Sequence, residues 1–385
     1  MAIHSPHLRS AILVAAACLS VFVYIRPRAT LSRTVIRANA SVRQGVPPKQ
    51  LPYPPDVFPG GRDVETPYGK LKVFEWGPED GKKVLLLHGI ATPCIAMGDM
   101  AHEFVNRGCR VMIFDFFGRG YSDAPSDLPY DDRLYATQIL LALASSPLAW
   151  TGNNAFHLLG YSLGGAIAAS FAAYYPHLLQ SVTLMCPGGL VRNSHISWKS
   201  WLFYSDAFLP VRLRTWLVER RLQPNCAAPA EVPDGDDADI DFDAVFVSSE
   251  KKDVTVGGVI EWQLESNRGF VPAYMSTIRL APIYNQHESM AWDRLRNHLA
   301  QRRHETSTKP EGLPSGRICL ILAERDVIVK KDEWIEDSRR VLGSDAVDIH
   351  VMRGGHEIGI SKGKEIAGIV VQTWATTTTD ELHQT

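Results

Sequence analysis

Six strand-like runs constrain this chain most: "KKVLLLHG" (82–89), "CRVMIFDF" (109–116), "AFHLLGYS" (155–162), "SVTLMCPGG" (181–189), "RICLILAERD" (317–326) and "AVDIHVMRGGH" (346–356). Continuous apolar runs of this kind suit strands buried on both faces. Between them lie segments of helical period: "AMGDMAHEFVNRG", stopped by Gly108, then "LYATQILLALASSP", "LGGAIAASFAAYYP", "KDEWIEDSRRVLG" and "GKEIAGIVVQTWA". No hairpin turn separates the buried runs, so the strands must pair in parallel and the helices must cover both faces of the sheet. An earlier pair of short strands is expected in "DVETPYGKLKVFEWG", around a turn at Pro67-Tyr68-Gly69.

The rhythm breaks after Gly189 for about a hundred residues, which are helical and aromatic with an acidic loop, and then resumes. A parallel core split by one insertion fits 385 residues, more than a single core usually needs. The expected division is an N-terminal hydrophobic segment (1–30), a linker (31–62), a first core part (63–189), a helical cap (190–300), a second core part (301–378) and a polar tail (379–385). The linker reading rests on the prolines and glycines of "QGVPPKQLPYPPDVFPGGR". A formal net charge of -2 without a basic stripe excludes nucleic acid as the expected partner. The six cysteines show no metal-ligand spacing and read as reduced thiols, Cys186 and Cys319 as small core residues.

Residues 11–25, "AILVAAACLSVFVYI", are apolar apart from Ser20 and flanked by Arg9, Arg26 and Arg28, with no acid before Asp56. As a helix this run spans about 22 Å against roughly 30 Å of hydrocarbon. A short signal-anchor is the first expectation, with membrane association and the catalytic domain on the cytoplasmic side. A mitochondrial presequence or a cleaved secretory signal are the alternatives.

The run "AFHLL" leads into Gly160-Tyr161-Ser162-Leu163-Gly164-Gly165 and then a small-residue helix. A serine at a strand-to-helix apex takes a strained backbone that lifts its hydroxyl above the sheet, and the crowding two residues either side requires glycine. Serine is a weak nucleophile at neutral pH and needs a base, which in turn needs an orienting carboxylate. Asp326 and His356 each stand just past a strand, giving the chain order Ser162, Asp326, His356. Glu324 lies nearer its strand end, so Asp326 is the better placed acid; Glu357 reads as a solvated neighbour, and His157 and His350 as structural histidines.

With "LLLHGIAT", "FDFFGRGYSD", "GYSLGG", "LILAERDVIV" and "GGHE" in order, the chain from roughly Arg62 to Ala375 resembles the α/β-hydrolase superfamily. The resemblance implies an α/β-hydrolase fold: a mostly parallel eight-stranded sheet, helices on both faces and an inserted helical cap. It assigns Ser162 as nucleophile, Asp326 as acid and His356 as base, and places the oxyanion hole at the backbone N–H groups of Ile90 and Leu163. At His88 it implies a role in loop geometry, and Asp115, Gly118 and Gly120 read as bracing the loop after their strand. No cofactor is expected: "GRG" lacks the third glycine of a dinucleotide loop, Asp123 standing there.

The expected chemistry is ester hydrolysis through an acyl-enzyme, the substrate an apolar small molecule. Five of nine tryptophans lie in the insertion (Trp198, Trp201, Trp216, Trp262, Trp292), most of them expected in the cap's own core and some over the pocket. Arg212, Arg214, Arg220 and Arg221 read as a solvated face, and Leu213, Trp216 and Leu217 fall on one helical face. Asp239, Asp241, Asp243 and Glu250 have calcium-loop spacing, but Ala244 replaces the required glycine, so a solvated lid loop is expected and no metal. "LMCPGGL" resembles hydrolases that cleave carbon–carbon bonds of ring-fission products; that reading, an amidase or peptidase, and a non-catalytic binding protein are the alternatives.

Overall fold

A computed structural model describes residues 34–38, 51–195, 210–224, 242–249, 253–304 and 310–382, with side chains to Trp374. The apolar segment 11–25, the rings of Trp198, Trp201, Phe203, Tyr204 and Phe208, and Asp239, Asp241 and Glu250 lie outside them. The described residues from Val35 onward form one compact unit.

The strands are β1 (Val35–Ile36), β2 (Arg62–Thr66), β3 (Gly69–Trp76), β4 (Lys83–Leu87), β5 (Arg110–Phe114), β6 (Ala124–Pro125), β7 (Phe156–Tyr161), β8 (Leu179–Met185), β9 (Ile318–Ala323) and β10 (Val347–Met352). Eight of them form one sheet in the order β10-β9-β8-β7-β4-β5-β3-β2. β2 and β3 form the expected hairpin, Thr66 opposite Gly69, and β3 runs antiparallel to β5; the remaining pairs are parallel. Every residue of β4, β7 and β9 is buried, as their unbroken apolar runs require. β1 and β6 make a separate small ladder.

The helices form two layers. Gly98–Asn106 packs on Gly363–Leu382, while Asp132–Ala144, Leu163–Tyr174, Met290–Arg303 and Lys331–Leu342 pack on one another in succession. Glycine stops are where the sequence puts them: Gly108 and Gly343 have φ of +81° and +97°, the left-handed region closed to most side chains. The chain passes from β4 to β5 on one side, then returns to β7 on the other side of β4. Such a reversal opens a crevice at the strands' carboxyl ends. The loops after β4 and β7 therefore meet there.

Four expectations need correction. The Pro-rich stretch before β2 is not merely a linker: Tyr53 and Phe58 are buried, Tyr53 against Tyr121 and Trp262, and Phe58 stacked on Trp76. Proline density announces irregular backbone, yet irregular backbone can still dock through its aromatic rings. The helix Met290–Arg303 crosses the expected cap boundary and lies on core helices, Trp292 meeting Trp334 at 6.2 Å. Of the other cap helices, Val211–Leu222, Val256–Ser266 and Phe270–Leu280, the first buries Arg214 and Val218 and exposes Leu213 and Trp216. Periodicity tells which residues share a face, not which face is covered. Trp262, too, packs outside the insertion, on Tyr53 of the Pro-rich stretch and Tyr121 of a core loop.

Candidate active site

Ser162 sits between β7 and the helix Leu163–Tyr174 with φ +54° and ψ -114°. For a residue with a side chain this backbone is strained, and strain of this kind persists only where the surroundings fix it. Four hydrogen bonds fix it here. The Ser162 N–H donates to the Met185 carbonyl at 2.9 Å, and the Ser162 carbonyl accepts from Gly165 and Gly188, each at 2.9 Å. Gly164 N–H donates to the His88 carbonyl at 3.1 Å, tying the elbow to the end of β4. Both flanking glycines are required by space. A Cβ on Gly160 would stand 2.1 Å from the Gly164 carbonyl oxygen, and one on Gly164 would stand 2.2 Å from that of Leu87.

The loops after β9 and β10 bring the other two side chains to this apex. His356 Nδ1 lies 2.8 Å from Asp326 Oδ2, and its Nε2 lies 3.0 Å from Ser162 Oγ. A carboxylate only accepts, so the ring proton resides on Nδ1 and Nε2 is left to accept from the serine hydroxyl. The second Asp326 oxygen accepts from the Ile328 and Val329 N–H groups at 2.9 and 2.8 Å. Burial raises the Asp326 pKa, but the His356 charge and hydrogen bond, with those two N–H groups, outweigh it and hold the carboxyl below its ordinary value. Glu324, the rival acid, is exposed.

His88 is fully buried. The Phe116 N–H lies 2.9 Å from Nε2, so Nδ1 carries the proton and donates to the Gly89 carbonyl at 2.7 Å. Burial pushes its pKa down to about 3, and the ring remains neutral. Because the Gly89 carbonyl and the Ile90 N–H share one trans peptide unit, holding the oxygen aims the N–H the opposite way. Among the described residues no acceptor takes the N–H of Ile90 or of Leu163. Asp115 accepts from the Cys94 and Tyr121 N–H groups, bracing the loop that carries Gly118 and Gly120, both at positive φ.

Three contacts were hidden from the sequence. Tyr161, buried beneath the elbow, donates its hydroxyl to the His356 carbonyl at 2.7 Å. Cys186, buried just past β8 with φ +40°, lies with Asp326 and His356 in a group whose polar atoms fall within 4.8 Å of one another. Burial first, and the Asp326 charge second, push its thiol well up, so it stays protonated. With His356 committed through both nitrogens, this trio offers no open metal donor set. Glu357, expected to be solvated, is 6% exposed and accepts the Gly355 N–H at 2.9 Å, shaping the turn that presents His356. His157 is structural, bonded to Ser181 at 2.8 Å and stacked on Trp374. A groove of about 670 Å³ opens beside the site, lined by Arg325, Gly354 and Glu357 from the loops bearing Asp326 and His356, and by Val245 and Phe246 from the insertion.

A family model described as the alpha/beta hydrolase fold matches residues 82–227. A "Serine hydrolase-like protein" of Danio rerio is 32% identical over 123 residues, covering 32% of this chain and 36% of that protein. A "Probable lysophospholipase L2" of Haemophilus influenzae is 26% identical over 137 residues, covering 35% and 43% of the two chains. The matches thus span less than half the length of these relatives. Among solved structures, a membrane phospholipase A described as a bacterial virulence factor superposes with TM-score 0.54 at 17% identity, covering 97% of this chain and 99% of its own.

Proposed function

The chain belongs to the α/β-hydrolase superfamily, and from that premise we propose that it is a serine esterase acting on an ester of an apolar small molecule through an acyl-enzyme. The observation that carries the reading is the single imidazole bridging Ser162 Oγ at 3.0 Å and Asp326 Oδ2 at 2.8 Å. In the first half-reaction Ser162 Oγ attacks the ester carbonyl while its proton passes to His356 Nε2. Asp326 holds the Nδ1 proton and stabilises the imidazolium. The N–H groups of Ile90 and Leu163 receive the carbonyl oxygen as it gains charge, each such donor being worth about a hundredfold or more in rate. His356 gives its proton to the departing alkoxide, leaving Ser162 acylated. Water then repeats the sequence, its proton going to His356 and on to Ser162 as the acid is released.

The ring of Phe242 from the insertion, 6.2 Å from that of His356, supports an apolar group on the substrate. Two relatives or neighbours bear phospholipase names, and residues 11–25 are apolar, so we extend the reading to a lipid-like ester met at a membrane surface. Among the described residues no helix is long and apolar enough to cross a membrane. Ser162→Ala is the primary test. Turnover of p-nitrophenyl esters and labelling by a fluorophosphonate are both expected to disappear; retained activity removes Ser162 from the mechanism.

A further inference from the structure

Arg119 is among the largest fully buried side chains, and its charge has no carboxylate partner among the described residues. It is held by neutral acceptors alone. Nε donates to the Ile90 carbonyl at 3.1 Å, Nη1 to the Phe117 carbonyl at 3.0 Å and the Tyr135 hydroxyl at 3.3 Å, and Nη2 to Thr277 Oγ1 at 2.8 Å. The Tyr130 ring centroid lies 5.8 Å from the guanidinium. The buried carboxylates of the same loop are engaged elsewhere, Asp115 with backbone N–H groups and Asp123 with Arg37. Burying a cation without a counter-charge is costly, and an apolar side chain of similar volume would fill the space more cheaply.

What the fork joins gives it a purpose. Ile90 follows β4, and Thr277 belongs to the helix Phe270–Leu280 of the insertion. The neighbouring helix Val256–Ser266 adds Gln263, whose amide donates to the Ala91 carbonyl at 2.8 Å and accepts the Gly120 N–H at 2.9 Å. Three consecutive carbonyls, Gly89, Ile90 and Ala91, are therefore each held by a buried side chain: His88, Arg119 and Gln263. The first belongs to the core alone. The other two tie the loop to the inserted helices.

We propose that Arg119 is a positioning residue for the oxyanion donor at Ile90, linking it through Thr277 to the helix Phe270–Leu280, so that seating of the inserted helices completes the oxyanion site. The proposal rests on the esterase reading of Ile90 given above. With the helix seated, both peptide units that flank the Ile90 Cα are held, the donor's own by His88 and the following one by Arg119, and the unneutralised guanidinium adds a positive field behind the donor.

Thr277→Val, close in volume and leaving Arg119 in place, is the decisive variant, with Arg119→Lys and Arg119→Met beside it. Two readouts are taken on the full chain: kcat and KM for p-nitrophenyl butyrate, and amide hydrogen exchange over residues 88–92. Thr277→Val should lower kcat about three- to tenfold, and Arg119→Met by tens-fold or more, with KM within about threefold; Arg119→Lys should fall between. Exchange over 88–92 should quicken in Thr277→Val. Unchanged kcat together with unchanged exchange, or an effect confined to KM or to melting temperature, overturns the proposal. If Arg119→Met does not fold, Thr277→Val and Arg119→Lys decide. A parent protein that turns over no ester refutes the esterase reading instead, and the exchange measurement still tests the tether.

Discussion

Replacing Asp326 by Asn isolates what the carboxylate does for the His356 ring. Oδ1 accepts two backbone N–H groups, from Ile328 at 2.9 Å and Val329 at 2.8 Å, and an amide must keep its oxygen there to satisfy them. Its NH2 then takes the place of Oδ2, 2.8 Å from His356 Nδ1. Two donors cannot face each other, so Nδ1 gives up its proton and the ring becomes protonated at Nε2, the nitrogen 3.0 Å from Ser162 Oγ. The base is now blocked by its own hydrogen. A wrong tautomer in an intact triad costs about four decades in kcat, or roughly 5 kcal/mol of barrier. Turnover of p-nitrophenyl butyrate should fall by that order while the melting temperature moves little, since both backbone donors keep their acceptor. Asp326→Ala, by contrast, strands those donors and should cost stability as well, on the order of 1–3 kcal/mol for each buried group left unpaired. An Asp326→Asn variant that retains activity within tenfold of the parent would refute the assignment of tautomer and base alike.

Gly164→Ala places a Cβ 2.2 Å from the Leu87 carbonyl and 2.8 Å from that of His88, so a loss of about 3 kcal/mol or more and of fluorophosphonate labelling is expected by denaturant titration and gel; a native midpoint would contradict the packing. Tyr161→Phe removes the donor to the His356 carbonyl and should cost about 1–2 kcal/mol of stability with a kcat loss under about tenfold, read by thermal melts and steady-state kinetics. His88 and His157, both with pKa lowered to about 3 by burial, make stability pH-dependent. Their unfolded forms bind a proton near pH 6.5 and their folded forms do not, so the contribution is whole above that pH and is lost as pH falls toward 3. Between pH 7 and 5 the two together should remove about 4 kcal/mol from the urea-derived stability, and a flat profile would show that neither is buried neutral.

Much of this could be read from the chain because parallel strands and an elbow leave local marks. β4, β7 and β9 announce themselves as unbroken apolar runs, and Gly160 and Gly164 mark a backbone with no room for a Cβ. Asp326 and His356 are legible because each follows a strand whose end must lie on the same edge as Ser162. The failures share one physical origin: they concern which of two similar environments a residue meets after distant segments pack. Glu357 and Arg214 carry charges that usually seek water, and nothing near them in sequence shows that one caps a turn and the other faces inward. Trp216 is as apolar as Trp262, but only the second meets the rings of Tyr53 and Tyr121.

Arg119 sharpens that distinction. Its sequence neighbours, Gly118 and Gly120, identify a tight loop, and a loop arginine is ordinarily a solvated one. Its burial depends on Thr277, 158 residues away, and on Tyr135, which supplies a second hydroxyl from the helix Asp132–Ala144. Neither partner carries charge or a recognisable spacing, so no local pattern could reveal the cluster. Ser162, Asp326 and His356 can be found from strand ends because the sheet alone brings them together. The Ala91 carbonyl is instead held by Gln263 of one inserted helix, and the arginine that holds the Ile90 carbonyl is itself steadied by Thr277 of another. If those contacts set kcat, substitutions that shift the two inserted helices should alter turnover while leaving the Ser162–His356–Asp326 hydrogen bonds unchanged.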